Sequence, residues 1–212
     1  RTGRKLNLAR MLRGDSVPVP TPTPAPLPCR YTIESIPYNP DYRADNEPIV
    51  VQADELDYQQ VTLPFSFPFH REQLSSLIIS PNGVIYTHKA PGTMDYENGS
   101  NAPLNSIAPL HTDLSASSDP YGVRVAKGAT WLTVYWRSKI FGYEDLADVE
   151  VRATLYSDGR IESFLSAPNA QLEAALQAGA TIGLTGPTAD SAATFAANSQ
   201  AIKDGLGVRF SR

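Results

Sequence analysis

Alternation of apolar and polar side chains over residues 61–69 constrains the fold of this chain more than any other feature. Val61, Leu63, Phe65, Phe67 and Phe69 occupy every second position of the run VTLPFSFPF. Successive side chains of a β-strand point to opposite faces, so this period predicts a strand with one face buried in a core.

Two prolines on the polar face of this strand predict its place in the sheet. Pro64 and Pro68 have the same parity and lack the N–H group that a neighbouring strand would use. We therefore expect an edge strand, or one that pairs fully on one side only. A second strand is expected over residues 75–80, and the tripeptide Pro-Asn-Gly at 81–83 predicts the turn that returns the chain at residues 84–86.

The rest of the chain reads as further short strands separated by turns. The β-rich runs are residues 49–53, 123–126, 130–137, 147–157, 160–165, 181–184 and 207–210. Asp158-Gly159 predicts a hairpin with a two-residue loop. Residues 30–48 are expected to be irregular, residues 168–178 to form a short helix, and residues 189–204 to form a loop with a helical turn. The predicted fold class is all-β: a jelly-roll-like antiparallel sandwich with one or two short helices and an extended proline-rich N-terminal arm.

Length and charge limit the class of protein. The chain has 212 residues, 42% of them hydrophobic, which is enough for one sizeable core. A net charge of −4 gives no field that would attract nucleic acid. No apolar run approaches the roughly 18 residues of a membrane span. Because the sequence begins at Arg1, we expect a processed protein or a fragment.

The N-terminal region divides into a basic tail, residues 1–16, and a proline-rich linker, residues 17–28, ahead of a domain at residues 29–212. Proline at every second position favours a stiff polyproline-II rod. We expect the tail and rod to bind a partner, although a frayed basic tail is the alternative for the first segment. The expected partner-binding residues are Arg10, Arg13, Pro18, Pro20, Pro22 and Pro24.

Three positions in or near this arm, and one farther along, carry possible modifications. Thr21 and Thr23 lie in Thr-Pro units that resemble the glycomodules of hydroxyproline-rich extracellular glycoproteins, and Asn98 begins an Asn-Gly-Ser sequon. Compositional bias and chance are the alternative explanations. Cys29, the single cysteine, is a candidate for an intermolecular disulfide or for a buried, inert thiol.

The sequence predicts no catalytic, cofactor or metal site. The three histidines are scattered without zinc-ligand spacing, and no G-x-S-x-G elbow is present. An acidic turn at Asp54, Glu55 and Asp57 lacks the spacing of a calcium loop. Several carboxylates, among them Asp148 and Glu162, are predicted to lie on a solvated strand face rather than in a glycosidase pair. The carboxylates considered for such a pair are Glu144, Asp145, Asp148, Glu150 and Glu162.

A carbohydrate-binding or glycoside-hydrolysing sandwich remains the alternative function. It requires Trp131, Tyr135 and Trp136 to lie exposed along one groove beside carboxylates. If the tryptophans belong to the core instead, this alternative fails.

The order of several segments resembles the nidogen-like extracellular domain. The segments are LPFSFPF, a strand ending in PNG, IAPLHTDL, WLTVYW, VEVRATLYSDGRIESF and ATIGLTG, and together they cover roughly residues 50–212. The sequence is most similar to the ectodomain of plexin-domain-containing proteins, the tumour endothelial marker family. His111 and Thr112 stand before the single acid Asp113, where the family usually has tryptophan and paired aspartates, so no ligand or metal role is carried over.

The resemblance implies an extracellular β module without catalytic residues. We therefore expect a non-enzymatic adhesion or structural module at the cell surface that binds a membrane or matrix glycoprotein. A variant of this expectation makes it an accessory ectodomain on a membrane protein or extracellular filament, with the arm as the docking segment.

Overall fold

The computed structural model describes residues 30–39, 58–88, 102–115 and 122–212, and the backbone of residues 47–49. Two antiparallel β-sheets pack face to face in these residues, and one short α-helix accompanies them. The predicted all-β sandwich is confirmed. The N-terminal arm lies outside the described residues and stays a prediction.

The smaller sheet has six strands in the order β13-β12-β6-β5-β4-β3. These strands are β3 (Gln59–Phe69), β4 (Glu72–Ile79), β5 (Ile85–Tyr86), β6 (Ser106–His111), β12 (Thr181–Thr185) and β13 (Ala193–Ala197). The larger sheet has the order β1-β14-β11-β10-β9-β8-β2, and β7 pairs with β9 beside this path. Its strands are β1 (Thr32–Ile36), β2 (Glu47–Ile49), β7 (Leu114–Ser115), β8 (Gly122–Gly128), β9 (Trp131–Ile140), β10 (Val149–Tyr156), β11 (Ile161–Ser166) and β14 (Leu206–Ser211).

The alternating segment forms the edge strand that its sequence predicts. In β3 the side chains of Val61, Leu63, Phe67 and Phe69 are buried, and β3 is the last strand of its sheet. Its pairing with β4 shifts register between Thr62 and Phe67, the stretch that contains Pro64. A proline cannot donate to a ladder, so a bulge and a sheet edge are the two places where a strand tolerates it.

The Asp158-Gly159 hairpin is confirmed, but its loop has three residues rather than two. The Tyr156 N–H donates to the Arg160 carbonyl at 2.9 Å, and the Gly159 N–H donates to the Tyr156 carbonyl at 2.9 Å. Gly159 has φ +88°. A three-residue hairpin loop usually consists of a type I turn followed by one residue in the left-handed region, which glycine adopts easily. The dipeptide Asp-Gly is therefore compatible with both loop lengths.

Two segments expected to be irregular contain strands. Residues 30–48 include β1, which pairs with β14 from Thr32 opposite Ser211 to Ile36 opposite Gly207. Residues 189–204 include β13 as well as a 3-10 turn, Ala189–Ser191. Both are edge strands, and unlike the edge strand β3 neither has a buried face of alternating large side chains. The hydrophobic period that identifies a core strand is therefore missing from both.

The predicted short helix is confirmed as α1, Ala170–Gly179. The Asn169 side chain caps it by accepting a hydrogen bond from the Gln171 N–H at 2.7 Å. Leu172 and Leu176 face the core and are fully buried. The helix thus covers one end of the sandwich, beside the loop between β9 and β10.

Candidate functional site

Every residue for which the sequence predicts partner binding, glycosylation or an intermolecular disulfide lies outside the described residues. These positions are Arg10, Arg13, Pro18, Pro20, Thr21, Pro22, Thr23, Pro24, Cys29 and Asn98. The acidic turn at residues 54–57 lies outside them as well. Their proposed roles stay predictions, and the candidate site must be sought on the surface of the sandwich itself.

The histidines lie in three separate environments. His70 follows β3 with φ +49°, is buried, and packs edge-on against Phe69 with ring centroids 4.5 Å apart. Burial, followed by the charge of Arg212, lowers the pKa of His70. His111 is buried in β6, whereas His88 contacts the Glu72 carboxylate at 2.9 Å. Among the described residues, no three histidine, cysteine or acidic side chains are grouped closely enough to hold a metal ion.

Trp136 belongs to the core and does not line a surface groove. Its side chain is fully buried, and its indole N–H donates to the Ser80 carbonyl of the facing sheet at 2.8 Å. Trp131 and Tyr135 have the opposite parity on β9 and are partly exposed. The three aromatic side chains therefore do not form the single groove that the carbohydrate alternative requires.

The surface of the larger sheet that faces away from the core, here called the outer face, carries a cross-strand row of aromatic and cationic residues. Pairing of β11, β10, β9 and β8 places Phe164, Arg152, Tyr135 and Arg124 side by side. The Arg152 guanidinium carbon lies 4.3 Å from the centroid of the Phe164 ring. At this distance the cation is attracted by the negative face of the ring.

Residues before β2 extend this row beyond the sheet ladder. The Arg152 Nη2 atom donates to the Asn39 carbonyl at 2.6 Å, and the Tyr38 ring meets Phe164 edge-on at 6.2 Å. Tyr38, Tyr135 and the neighbouring side chains enclose a groove of about 30 Å³. Small-molecule sites typically occupy roughly 300–1,000 Å³, so this groove is shallow surface relief rather than a ligand pocket.

A second row on the outer face is an ion-pair network centred on Glu162. Its Oε1 atom accepts from Arg209 Nη2 at 2.8 Å, and its Oε2 atom accepts from the Tyr156 hydroxyl at 2.9 Å. Arg209 also reaches Glu34 on β1 at 3.2 Å. Burial and the bond to Glu162 raise the pKa of Tyr156. This network links four neighbouring strands, β10, β11, β14 and β1, so each of its charged groups is restrained by a partner on another strand.

Asp148 forms a similar paired site where the loop between β9 and β10 enters β10. Its carboxylate accepts from Arg137 Nε at 2.8 Å and from Lys139 Nζ at 3.0 Å. The Asp148 side chain is only 14% exposed and that of Glu162 only 12%, so both are paired and largely covered rather than solvated as the sequence suggested. Burial acts to raise the pKa of Asp148, but the hydrogen bonds from Lys139 and Arg137 outweigh it and lower the pKa.

We expect Asp148→Asn to lower the free energy of unfolding by about 1–3 kcal/mol at pH 7, the range for losing hydrogen bonds to charged partners. A carboxyl group whose pKa is lower in the folded state than in the unfolded state stabilises the fold fully when the solution pH is above its ordinary pKa, 3.8 for aspartate. That stabilisation is lost as the pH falls further, so the difference between wild type and variant should shrink toward pH 3. Urea unfolding at pH 7, 5 and 3 measures it.

Asp158→Asn is the matched control for this prediction. The Asp158 side chain is 65% exposed, and its Oδ1 acceptor for the Arg160 N–H survives in asparagine. We expect a change within about 0.5 kcal/mol at each pH. An equal loss for both variants, or a difference for Asp148→Asn that does not depend on pH, would contradict the assigned role of the Asp148 pair.

A larger groove lies at the end of the sandwich, between α1 and the loop after β9. Residues 142–146 form one wall, and Gln171, Ala174, Ala175 and Ala178 of α1 form the other. The volume is about 480 Å³. Phe141 and Tyr143 beside it are 63% and 43% exposed. This loop has no hydrophobic period and was not predicted as a site, although the two aromatic residues that flank Gly142 are visible in the sequence.

The two surfaces differ in depth, because the outer-face groove holds about 30 Å³ and the groove beside α1 about 480 Å³. The Glu162 and Asp148 carboxylates are each committed to arginine partners, and the outer face is shallow. In the described part of the chain, no helix has the length and apolar character needed to cross a bilayer.

Comparison with known proteins gives one family. The family model described as NIDO related matches residues 30–205, which is most of the chain and nearly all of the described sandwich. Searches among curated proteins and among solved structures gave no significant match. The nidogen-like resemblance is confirmed, whereas the closer similarity to plexin-domain-containing proteins stays a prediction.

The family match and the two-sheet architecture agree on the same span of the chain. The family is a structural domain type and indicates an extracellular module in general. On this evidence the chain belongs to the NIDO-related family.

Proposed function

We propose that this protein is a non-enzymatic extracellular adhesion or structural module that binds a cell-surface or matrix glycoprotein. In this proposal the sandwich serves as an accessory ectodomain on a membrane protein or extracellular filament, and residues 1–28 serve as the docking arm. The outer face carries the proposal: it presents aromatic rings and fixed, paired charges over several strands around a groove of only about 30 Å³.

Such a surface fits a broad macromolecular contact. Protein interfaces are enriched in tyrosine, phenylalanine and arginine at their centres, and they need shape and charge complementarity rather than a deep cavity. Tyr135 and Arg152 lie at the middle of the sheet, flanked by Phe164 on one side and Arg124 on the other. Phe164 is already buried against Arg152 and Tyr38, so a partner that covers this row would bury the partly exposed side chains of Tyr135, Arg152 and Arg124.

The arm supplies the second contact in this proposal. Short proline-rich segments bind at low entropic cost because their extended geometry is formed before binding. Glycans on Thr21, Thr23 or Asn98, and a disulfide from Cys29 to a partner chain, would strengthen or restrict the same assembly. Both modifications require passage through the secretory pathway, which is the route expected for an extracellular module.

Deletion of residues 1–28 is expected to leave the sandwich folded and to weaken partner assembly. The domain boundary proposed at residue 29 places the arm outside the core, so its removal should change the melting temperature by no more than a few degrees. Circular dichroism and thermal unfolding report folding. Capture of partners from the native cell surface, with mass spectrometry of proteins and attached glycans, reports assembly.

A point variant on the outer face separates the two contacts. Tyr135→Ser removes a partly exposed ring from the middle of the row, and Lys203→Ala is a surface control away from it. The proposal predicts reduced capture for Tyr135→Ser and unchanged capture for Lys203→Ala. An unfolded deletion product would refute the division into arm and domain, and undiminished capture by both the deletion and Tyr135→Ser would refute the binding role.

A further inference from the structure

The groove between α1 and residues 142–146, here called the end groove, has the dimensions of a site for an inserted side chain or helix face. Its volume of about 480 Å³ exceeds that of the outer-face groove more than tenfold. Ala174, Ala175 and Ala178 give α1 a wall of methyl groups, and Leu146 adds an apolar side chain from the loop. Small side chains on one helix face allow another segment to approach it closely.

Exposed aromatic residues are concentrated at this groove. Only four large hydrophobic side chains are exposed among the described residues: Ile33, Leu104, Phe141 and Tyr143. Phe141 and Tyr143 lie in one loop, and Tyr143 lines the groove. Single exposed apolar residues are common, but an exposed pair beside an apolar wall marks a contact surface.

The rim of the end groove is acidic. Glu144 and Asp145 are both exposed and line it, and within the described residues neither carboxylate takes part in an ion pair. Glu144 accepts a hydrogen bond from the Gly142 N–H at 2.8 Å. Glutamate is ionised at neutral pH, and this backbone hydrogen bond lowers the pKa of Glu144 further. The groove therefore favours an apolar segment that carries positive charge.

The chain itself contains a segment with these properties. The tail, residues 1–16, has five basic side chains and one acid. Leu8, Met11 and Leu12 have the i, i+3, i+4 spacing of an amphipathic helix, which is the pattern that enters apolar grooves on partner proteins. Arg10 lies between these positions and Arg13 directly follows them, so they add positive charge beside the apolar residues that the acidic rim would attract.

Topology separates the tail from the end groove of its own sandwich. β1 enters the larger sheet at Thr32, opposite Ser211, at the sheet end where Tyr156 pairs with Trp131. The end groove lies beyond Ile140 and Val149, at the other end. An eight-residue strand spans about 26 Å. The rod predicted for residues 17–28 is about 37 Å long, and its stiffness would oppose the reversal of chain direction needed to bring the tail back along its own sandwich to the groove.

We propose that the end groove binds the basic tail of a second copy of this chain, so that copies associate head to tail. The contact joins different surfaces of the two copies, and such heterologous contacts build rings or open filaments. This inference rests on the docking role proposed above for the arm and names a site and a partner for it.

Charge exchange in the full-length chain tests the contact. Sedimentation velocity over a concentration series measures self-association of the wild type, the rim variant Glu144→Lys/Asp145→Lys and the tail variant Arg10→Glu/Arg13→Glu. We expect wild-type association that weakens with added salt, and about a ten-fold loss of the association constant in each double variant. A chain carrying all four changes should recover association, because opposite charges then face each other again.

Asp158→Lys is the control for charge reversal itself, because it reverses one exposed carboxylate, half the charge change of the rim variant, on a turn at the far end of the sheet. Circular dichroism confirms that each variant is folded. A wild type that stays monomeric, an equal loss in Asp158→Lys, or no recovery in the four-fold variant would overturn the inference. If the wild type is monomeric but deletion of residues 1–28 still abolishes capture of cell-surface partners, only the head-to-tail inference is overturned. If copies associate head to tail but no cell-surface partner is captured, only the proposed function is overturned.

Discussion

Phe67→Ala is expected to lower the free energy of unfolding by about 3–5 kcal/mol, the usual range for a phenylalanine removed from a core. The Phe67 side chain is completely buried in β3. Its ring stacks on Phe69 with centroids 6.3 Å apart and meets Phe65 edge-on at 6.5 Å. Truncation leaves a cavity between the two sheets that the paired β4 strand cannot collapse to fill. Equilibrium unfolding in urea measures the change.

Phe141→Ala is the matched control, since it removes the same atoms from a side chain that is 63% exposed. We expect it to change stability by no more than about 0.5 kcal/mol. A loss below about 1 kcal/mol for Phe67→Ala would mean that this residue does not belong to the core. The assignment of the odd-numbered face of β3 to the sandwich interior would then be wrong.

Gly83→Ala is expected to cost about 2–5 kcal/mol. Gly83 has φ +71°, and a Cβ atom there would lie 2.0 Å from the Leu110 carbonyl oxygen. The left-handed backbone costs an alanine about 1–2 kcal/mol. Relief of the overlap requires a backbone shift in β6, which adds about 1–3 kcal/mol as overpacking usually does. The Gly83 carbonyl accepts a hydrogen bond from the Leu110 N–H at 3.4 Å, so a shift of β6 would also disturb that hydrogen bond.

Gly205→Ala separates the backbone cost from the steric cost. Gly205 has φ +67°, almost the same as Gly83, but a Cβ atom there would meet nothing within 4 Å. We expect a loss of about 1–2 kcal/mol, measured by the same urea unfolding. Equal losses in the two variants would show that the close approach of Gly83 to Leu110 has no energetic consequence.

Local sequence predicted the parts of the fold in which neighbouring residues act together. The period of residues 61–69 identified the face that is buried in β3, and the prolines within it identified a sheet edge. The helix at residues 170–179 follows from Leu172 and Leu176, apolar residues four positions apart that share one helix face. In each case the signal and the structure span fewer than a dozen residues, so no distant contact is needed to read it.

The outer face required the register of strands that are distant in sequence. Glu162 and Arg209 are 47 residues apart, and Arg152 meets Asn39 across 113 residues. The hairpin at residues 158–159 pairs Arg152 with Phe164, but a hairpin loop of two residues rather than three would change that pairing. The sequence therefore shows which residues the outer face contains, but it does not show which of them are neighbours.

By itself, the sequence determined the all-β class of this sandwich, because alternation and turn chemistry are local properties of the chain. The tertiary structure decided which tryptophan enters the core, where Trp136 donates to the Ser80 carbonyl of the opposite sheet. It also decided that Thr32–Ile36 forms a strand, since that segment pairs with β14 from 179 residues away. Backbone hydrogen bonds to a distant strand can stabilise a segment that has no hydrophobic period of its own, and only the folded chain brings such partners together.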